Sequence, residues 1–208
     1  MDTITEAIAI KVRDTVDLGL VKGKGSGKPG DICVEAAVCY AMGLPHSDDP
    51  PCVSRALRQL KIVLNDASWS SNEALTKGMR RLAILQLGTR DTLDDIKFSK
   101  RVTTATIRTI IPLALRAAAS IHTQMENKED LERAALNCEI NPAADAVAAA
   151  ARAAARAART AARAARAAAR AAVDAAAADE VLIAFAKLVE NILIDMNAAG
   201  AQWLYLLD

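Results

Sequence analysis

Apolar residues recur every three or four positions along most of this chain, which is the spacing of one face of an α-helix. The first such run consists of Ile4, Ile8, Val12 and Val16. Thr3 and Thr5 are both placed to cap this helix, which we expect to end near Leu18. The segment 19–30, GLVKGKGSGKPG, is rich in glycine and predicts a flexible loop.

Turn residues and capping residues divide the next part of the chain into further helices. We expect one helix over about 31–42 and another over about 52–66, with Pro51 in the first turn of the second. Ser70 and Glu73 form a capping-box pattern for a third helix, which Gly88 would end.

The region from Thr92 towards His122 predicts a longer helix that contains the β-branched run VTTATIRTII. Such a run also suits a strand, but a lone strand would have no partner, so we favour a helix. Pro112 is expected to kink or split it. A short helix is predicted at about 130–138.

An alanine-rich tract follows from residue 143 to residue 174, without glycine or proline, and predicts a long helix. Its arginines are spaced alternately by four and three residues, which places them along one face. They are Arg152, Arg156, Arg159, Arg163, Arg166 and Arg170. Asp179 is placed to cap a final amphipathic helix that Gly200 would stop, so we expect an antiparallel hairpin with its turn between Asp174 and Asp179.

Composition and charge narrow the function classes. The net charge is only +1, but six arginines face two aspartates between residues 143 and 176, so the basic charge is local. This stripe predicts either a solvated face or a ridge that binds an acidic partner or nucleic acid. The arginines also exclude the tract as a membrane span. The N-terminal sequence lacks the apolar region of a signal peptide, so we expect a cytoplasmic protein with free thiols.

Residues that could carry chemistry cluster between positions 33 and 52. Cys33, Cys39, His46 and Cys52 could suggest zinc, but their spacing fits no common zinc site. The turn that carries His46, Asp48 and Asp49 favours local backbone hydrogen bonds over acid–base chemistry. The glycine-rich loop does not match a phosphate-binding loop, because Pro29 follows Lys28. We therefore predict no catalytic residue, metal or cofactor, and keep Glu35, His46, Asp48, Asp49 and Cys52 as a candidate motif.

The segment CVEAAVCYAMGLPHSDDPPCVSRALRQLKIVLND resembles a block found in bacterial and phage-encoded proteins of uncharacterised function. The matching residues are Cys33, Glu35, Ala36, Gly43, His46, Asp48, Pro50, Cys52, Val53, Asn65 and Asp66. The alanine-rich tract is more faintly similar to immunity proteins of bacterial toxin systems. Neither resemblance implies a catalytic residue.

The sequence as a whole predicts an all-α, multi-helix bundle around a long alanine-rich helix, packed against an amphipathic C-terminal helix. We divide it into an N-terminal helical region, 1–142, and the segment 143–208, which together form one compact domain. The expected function is that of a non-enzymatic interaction protein that binds another protein or a second copy of itself. The alternative is a nucleic-acid-binding protein that uses the arginine stripe, and a small enzyme centred on Glu35, His46 and Asp49 is the third reading.

Overall fold

The computed structural model describes residues 4–120, 124–140 and 172–208, with the side chains of the last segment from Ala177 onwards. These residues are mainly helical and contain one two-stranded antiparallel sheet, which confirms the predicted helical bundle. The alanine-rich tract up to residue 171, with its arginine stripe, lies outside the described residues. The α-helices are α1 Glu6–Asp17, α2 Val34–Ala41, α3 Arg55–Asn65, α4 Asn72–Leu85, α5 Asp95–Ala105, α6 Ile111–Ser120, α7 Met125–Ile140 and α8 Ala172–Asp195.

Contacts between residues divide the chain into two compact units. Unit 1 comprises Met1–Arg101 and Ala186–Asp208, and unit 2 comprises Val102–Phe185. The composition of the sequence instead suggested one boundary at residue 142, where the alanine-rich tract begins. Contacts between residues far apart in the chain decide the division, and composition does not reveal them.

The core of unit 1 lies between α1, α2, α4 and a C-terminal 3-10 segment, Ala199–Leu207. Its fully buried side chains include Val12, Val16, Val38, Leu57, Leu75, Met79, Leu82 and Leu85. Gly200 allows the 3-10 segment to approach α4, because a Cβ at this position would overlap the carbonyl oxygens of Ile84 and Leu85. The 3-10 segment therefore packs closely against α4, with Gly200 buried at the contact.

The segment predicted to be a flexible loop contains a small hairpin. Strand β1, Gly25–Lys28, pairs antiparallel with β2, Asp31–Ile32. Gly25 has a positive φ, and a Cβ there would approach Ile32 Cα to 2.9 Å. Glycine in this segment thus permits close pairing of the two strands, and the prediction of a loop without strands is wrong.

Three helices of unit 1 begin at residues other than the predicted ones. The N-cap of α2 is Cys33, whose sulphur accepts from the Ala36 amide, and α3 is capped by Ser54 three residues beyond Pro51. The cap of α4 is Ser71, whose Oγ accepts from the Ala74 amide at 3.1 Å, and not Ser70. The N-cap of α1 is Thr5, one of the two threonines predicted, and its side chain accepts from the Ile8 amide.

The β-branched run from residue 102 to residue 111 is helical, as predicted. It forms the end of α5 and then a π-helical turn, Thr106–Ile110, which leads directly into α6 and Pro112. Proline clashes with the carbonyl four residues earlier and donates no hydrogen bond, and a π-turn relieves that conflict without breaking the helix. In unit 2, the π-helical turn and α6 pack against α7 through Ile107, Leu115, Ala119, Leu131, Ala135 and Cys138.

The predicted turn between Asp174 and Asp179 is absent, because α8 runs without interruption from Ala172 to Asp195. Asp179 therefore lies within a helix and does not begin one. The physical reason is that alanine, the strongest helix former, fills positions 175–178, and one aspartate cannot overcome that preference. The end of α8 buries Ala186, Val189, Ile192 and Leu193 in unit 1. Within the described residues, no helix combines the length and apolarity needed to cross a membrane.

Candidate functional site

A buried ion pair lies at the centre of unit 1, where α2, α3 and the end of α4 meet. Glu35 occupies the first turn of α2, and Lys61 lies in the middle of α3. Both residues are fully buried, and Lys61 Nζ lies 2.6 Å from Glu35 Oε1. Gln86, which follows α4, accepts a second contact from the same ammonium and donates to the Ala83 carbonyl at 3.2 Å.

Burial dominates the ionisation of this pair. It raises the pKa of Glu35, and the nearby Lys61 charge only partly offsets the rise. It lowers the pKa of Lys61, again against the effect of its partner. Although the two groups touch, neither Glu35 oxygen receives a hydrogen bond of good geometry within the described residues. The attraction is therefore mainly electrostatic, and loss of either partner would leave an uncompensated group in the core.

A cavity of about 80 Å³ lies next to Glu35. Its walls include five residues that carry the resemblance described above: Cys33, Glu35, Asp48, Asn65 and Asp66. Such a volume suits a few water molecules, and small-molecule pockets are larger, at roughly 300–1,000 Å³. The cavity thus has both polar and apolar walls and borders the buried Glu35.

Asn65 and Asp66 join the end of α3 to two other segments of unit 1. Asn65 Oδ1 accepts from the Val34 amide at 3.3 Å, and its Nδ2 donates to the Val21 carbonyl at 3.0 Å. Asp66 Oδ1 accepts from the Gly23 amide at 2.8 Å. These bonds fix the beginning of α2 and the approach to the hairpin, so both side chains hold the fold together around the cavity.

The turn before α3 is held by Arg58. Its Nε donates to the Asp48 carbonyl at 2.6 Å, its Nη2 lies 3.2 Å from Asp48 Oδ1, and Asp49 Oδ1 lies 3.2 Å from its Nε. His46 packs against the hairpin, where its Cγ lies 2.9 Å from the position of a Cβ on Gly27. Neither His46 nor Asp49 lines the cavity next to Glu35. The structure therefore does not bring together the three residues of the possible enzyme site.

The four cysteines are buried, and Cys33, Cys39 and Cys52 are free thiols. Burial is the main reason why the pKa of each thiol is raised, and the pKa of Cys39 is raised to about 12. A thiol that stays protonated at neutral pH is a poor nucleophile and metal ligand. Across the described ranges, no group of three or more His, Cys, Asp or Glu residues is arranged to hold a metal ion.

The sequence did not identify Lys61 and Gln86 as partners of Glu35. One signal was available: Lys61 falls between Leu57 and Leu64 on the apolar stripe of α3, where a lysine requires a buried acid. Of the candidate residues, Glu35 and Asp48 share the small cavity, whereas Cys52 lines a separate groove. Comparison with protein-family models, curated proteins and solved structures found no match.

Proposed function

We propose that this protein is a non-enzymatic helical interaction protein that binds another protein through the outer face of α7. The observation that carries the proposal is a set of three large apolar side chains exposed on that helix. Met125 is 66% exposed, Leu136 is 52% exposed and Ile140 is 64% exposed. At about 100° per residue, these three positions fall within about 60° of one another.

The opposite face of α7 explains why these side chains do not belong to the core. Leu131, Ala135 and Cys138 are buried against α6, so the helix already has an apolar face that satisfies its own unit. A second apolar face on the same helix is typical of helix-in-groove recognition, in which residues spaced by whole turns enter a partner's groove. Glu129 is exposed on that face and favours a partner with basic side chains around the groove.

The centre of unit 1 supports this reading over an enzyme. Glu35 is engaged by Lys61, Asp49 by Arg58, and the thiols stay protonated, so these groups stabilise the fold. The resemblance to phage-encoded proteins and, more faintly, to immunity proteins is consistent with a protein that acts by binding. The proposed biological setting is therefore that of a phage-encoded or immunity-like protein.

Site-specific photo-crosslinking in cells tests the proposed surface. A photoreactive residue at position 136 or 140 should cross-link one defined protein, and the same residue at position 63 should not. Val63 is the matched control because it is 72% exposed but lies on α3 in the other unit. With the partner purified, Leu136→Glu should weaken binding at least tenfold without a stability change beyond about 0.5 kcal/mol.

Three outcomes have distinct meanings. Cross-linking to a second copy, with a dimer in sedimentation that Leu136→Glu dissociates, would identify the partner as the protein itself. Equal cross-linking from positions 63 and 136 would contradict the α7 surface. Retention on heparin that falls steeply with salt, and that Leu136→Glu leaves unchanged, would instead favour nucleic-acid binding by the arginine stripe, Arg152–Arg170.

A further inference from the structure

A groove of about 590 Å³ lies on unit 1, and the proposed interaction surface on α7 does not include it. It lies between the loop that follows α4, the turn before α3 and the C-terminal 3-10 segment. Most of its wall is apolar, and the residues that line it include Ile4, Met42, Pro51, Leu87, Ala199 and Trp203. Its volume lies within the range of about 300–1,000 Å³ typical of small-molecule sites.

One cation lines this groove. Arg90 is half-buried, and its position is fixed by its backbone amide, which donates to the Cys52 carbonyl at 3.0 Å. Its Nη1 makes a long contact of 3.5 Å with the Val53 carbonyl. Within the described residues, the arginines that form ion pairs with carboxylates are Arg13, Arg58, Arg80, Arg81, Arg101, Arg116 and Arg133. Arg90 is not among these arginines, so it has no carboxylate counter-ion within the described residues.

Because Arg90 has no carboxylate partner within the described residues, its guanidinium is available to an anion in the groove, with which it would form charge-assisted hydrogen bonds. Trp203 lies on the wall of the same groove, where its indole ring can contact the apolar part of a ligand. These features call for a ligand with one anionic oxygen group and an apolar body. Arginine matches a planar carboxylate well, since its donors form a two-pronged fork.

We propose that this groove binds a small organic acid, with its carboxylate on Arg90 and its apolar portion against Trp203 and Leu87. The neutral alcohol of the same carbon skeleton should bind less tightly, because it cannot supply the charge that Arg90 lacks. A hydrogen bond to a charged group is worth about 1.5–3 kcal/mol, which corresponds to a difference in affinity of about tenfold or more.

Isothermal titration calorimetry of the full chain with 4-phenylbutyrate and 4-phenylbutan-1-ol tests this assignment. The acid should bind at least tenfold more tightly than the alcohol, and Arg90→Gln should abolish the difference. Arg90→Lys, which keeps the charge, should retain part of it. Arg55→Gln is the matched control, because Arg55 is an exposed arginine of the same unit that does not line the groove.

Tryptophan emission locates the bound acid. The chain has two tryptophans, and Trp69 is buried away from this groove. A change in emission on addition of the acid should disappear in Trp203→Phe, while calorimetry still detects binding. The assignment is overturned by undetectable binding at millimolar acid, by equal affinity for acid and alcohol, or by an Arg90→Gln variant with unchanged affinity and native circular dichroism.

Discussion

The ring of Trp69 lies against the backbone of Gly78 and fills the space that a side chain at position 78 would need. The indole N–H donates to the Leu64 carbonyl at 2.7 Å, which fixes the ring in place. Gly78, in the middle of α4, therefore has a packing role, although glycine there disfavours the helix by itself. This close approach joins α4 to the segment after α3.

Gly78→Ala is expected to destabilise the protein by about 1–2 kcal/mol. Alanine gains up to about 1 kcal/mol of helix propensity, but displacement of a fixed indole ring typically costs about 1–3 kcal/mol. Urea denaturation measures the difference. In a Trp69→Phe background the smaller ring leaves room, so the same substitution should cost less. A stabilising Gly78→Ala variant would show that the ring moves freely.

The buried ion pair predicts opposite pH dependence for two single variants. In Lys61→Met, Glu35 loses its nearest cation, so its folded pKa rises further above the ordinary value of 4.5. Between these two pKa values the folded state holds more protons than the unfolded state. The free energy of unfolding should therefore fall as pH rises above 4.5.

Glu35→Gln should show the reverse trend. Lys61 then lacks its acid, and its folded pKa falls further below the ordinary value of 10.5. The unfolded state binds more protons in that window, so the free energy of unfolding should rise with pH up to about 10.5. Each single variant should lose about 3–5 kcal/mol at its unfavourable pH. Urea denaturation across pH measures both slopes, and the double variant Glu35→Met with Lys61→Met should show neither. Parallel slopes in the two single variants would contradict the pairing.

The thiols should be inert in the folded protein. Cys33, Cys39 and Cys52 are buried with raised pKa values, so Ellman's reagent at neutral pH should react slowly and only through unfolding. All four cysteines should react at once in denaturant, which serves as the control. Rapid labelling of one thiol in native protein would indicate an activated cysteine that this structure does not explain.

The arginine stripe is expected to contribute little to stability. Joint replacement of Arg156, Arg163 and Arg170 by glutamine should change the free energy of unfolding by no more than about 0.5 kcal/mol per site, because glutamine is also a good helix former. Weak retention on heparin should decrease. Tight, sequence-selective binding of the unaltered protein to duplex DNA at physiological salt would promote the nucleic-acid alternative.

The helical class could be predicted from the sequence because apolar periodicity and capping residues depend only on near neighbours. The same patterns placed the helix starts within a few residues, and the errors arose where two candidates compete, as with Ser70 and Ser71. The prediction that Asp179 begins a helix was wrong, because the four alanines before it favour a continuous helix more strongly than one capping residue favours a new start. The pairing of Glu35 with Lys61 could not be found by local rules, since it depends on how α2 and α3 pack.

The candidate sites, too, could be predicted from the sequence only where their residues are near neighbours in the chain. Most of the residues that line the small cavity lie within one stretch of chain, from Cys33 to Asp66. The larger groove combines Arg90 with Trp203, which lie far apart in the chain. No pattern along the sequence links those two residues, because their proximity results from the packing of the C-terminal segment.

The division of unit 1 between two distant stretches of chain affects the order of events during synthesis. When the ribosome has released residues 1–101, the surface of α4 that receives Gly200 is still uncovered. Every residue of unit 2 must emerge before Ala186–Asp208 can cover that surface. The nascent chain thus contains every residue of unit 2 before it contains every residue of unit 1, so unit 1 is begun before unit 2 and completed after it.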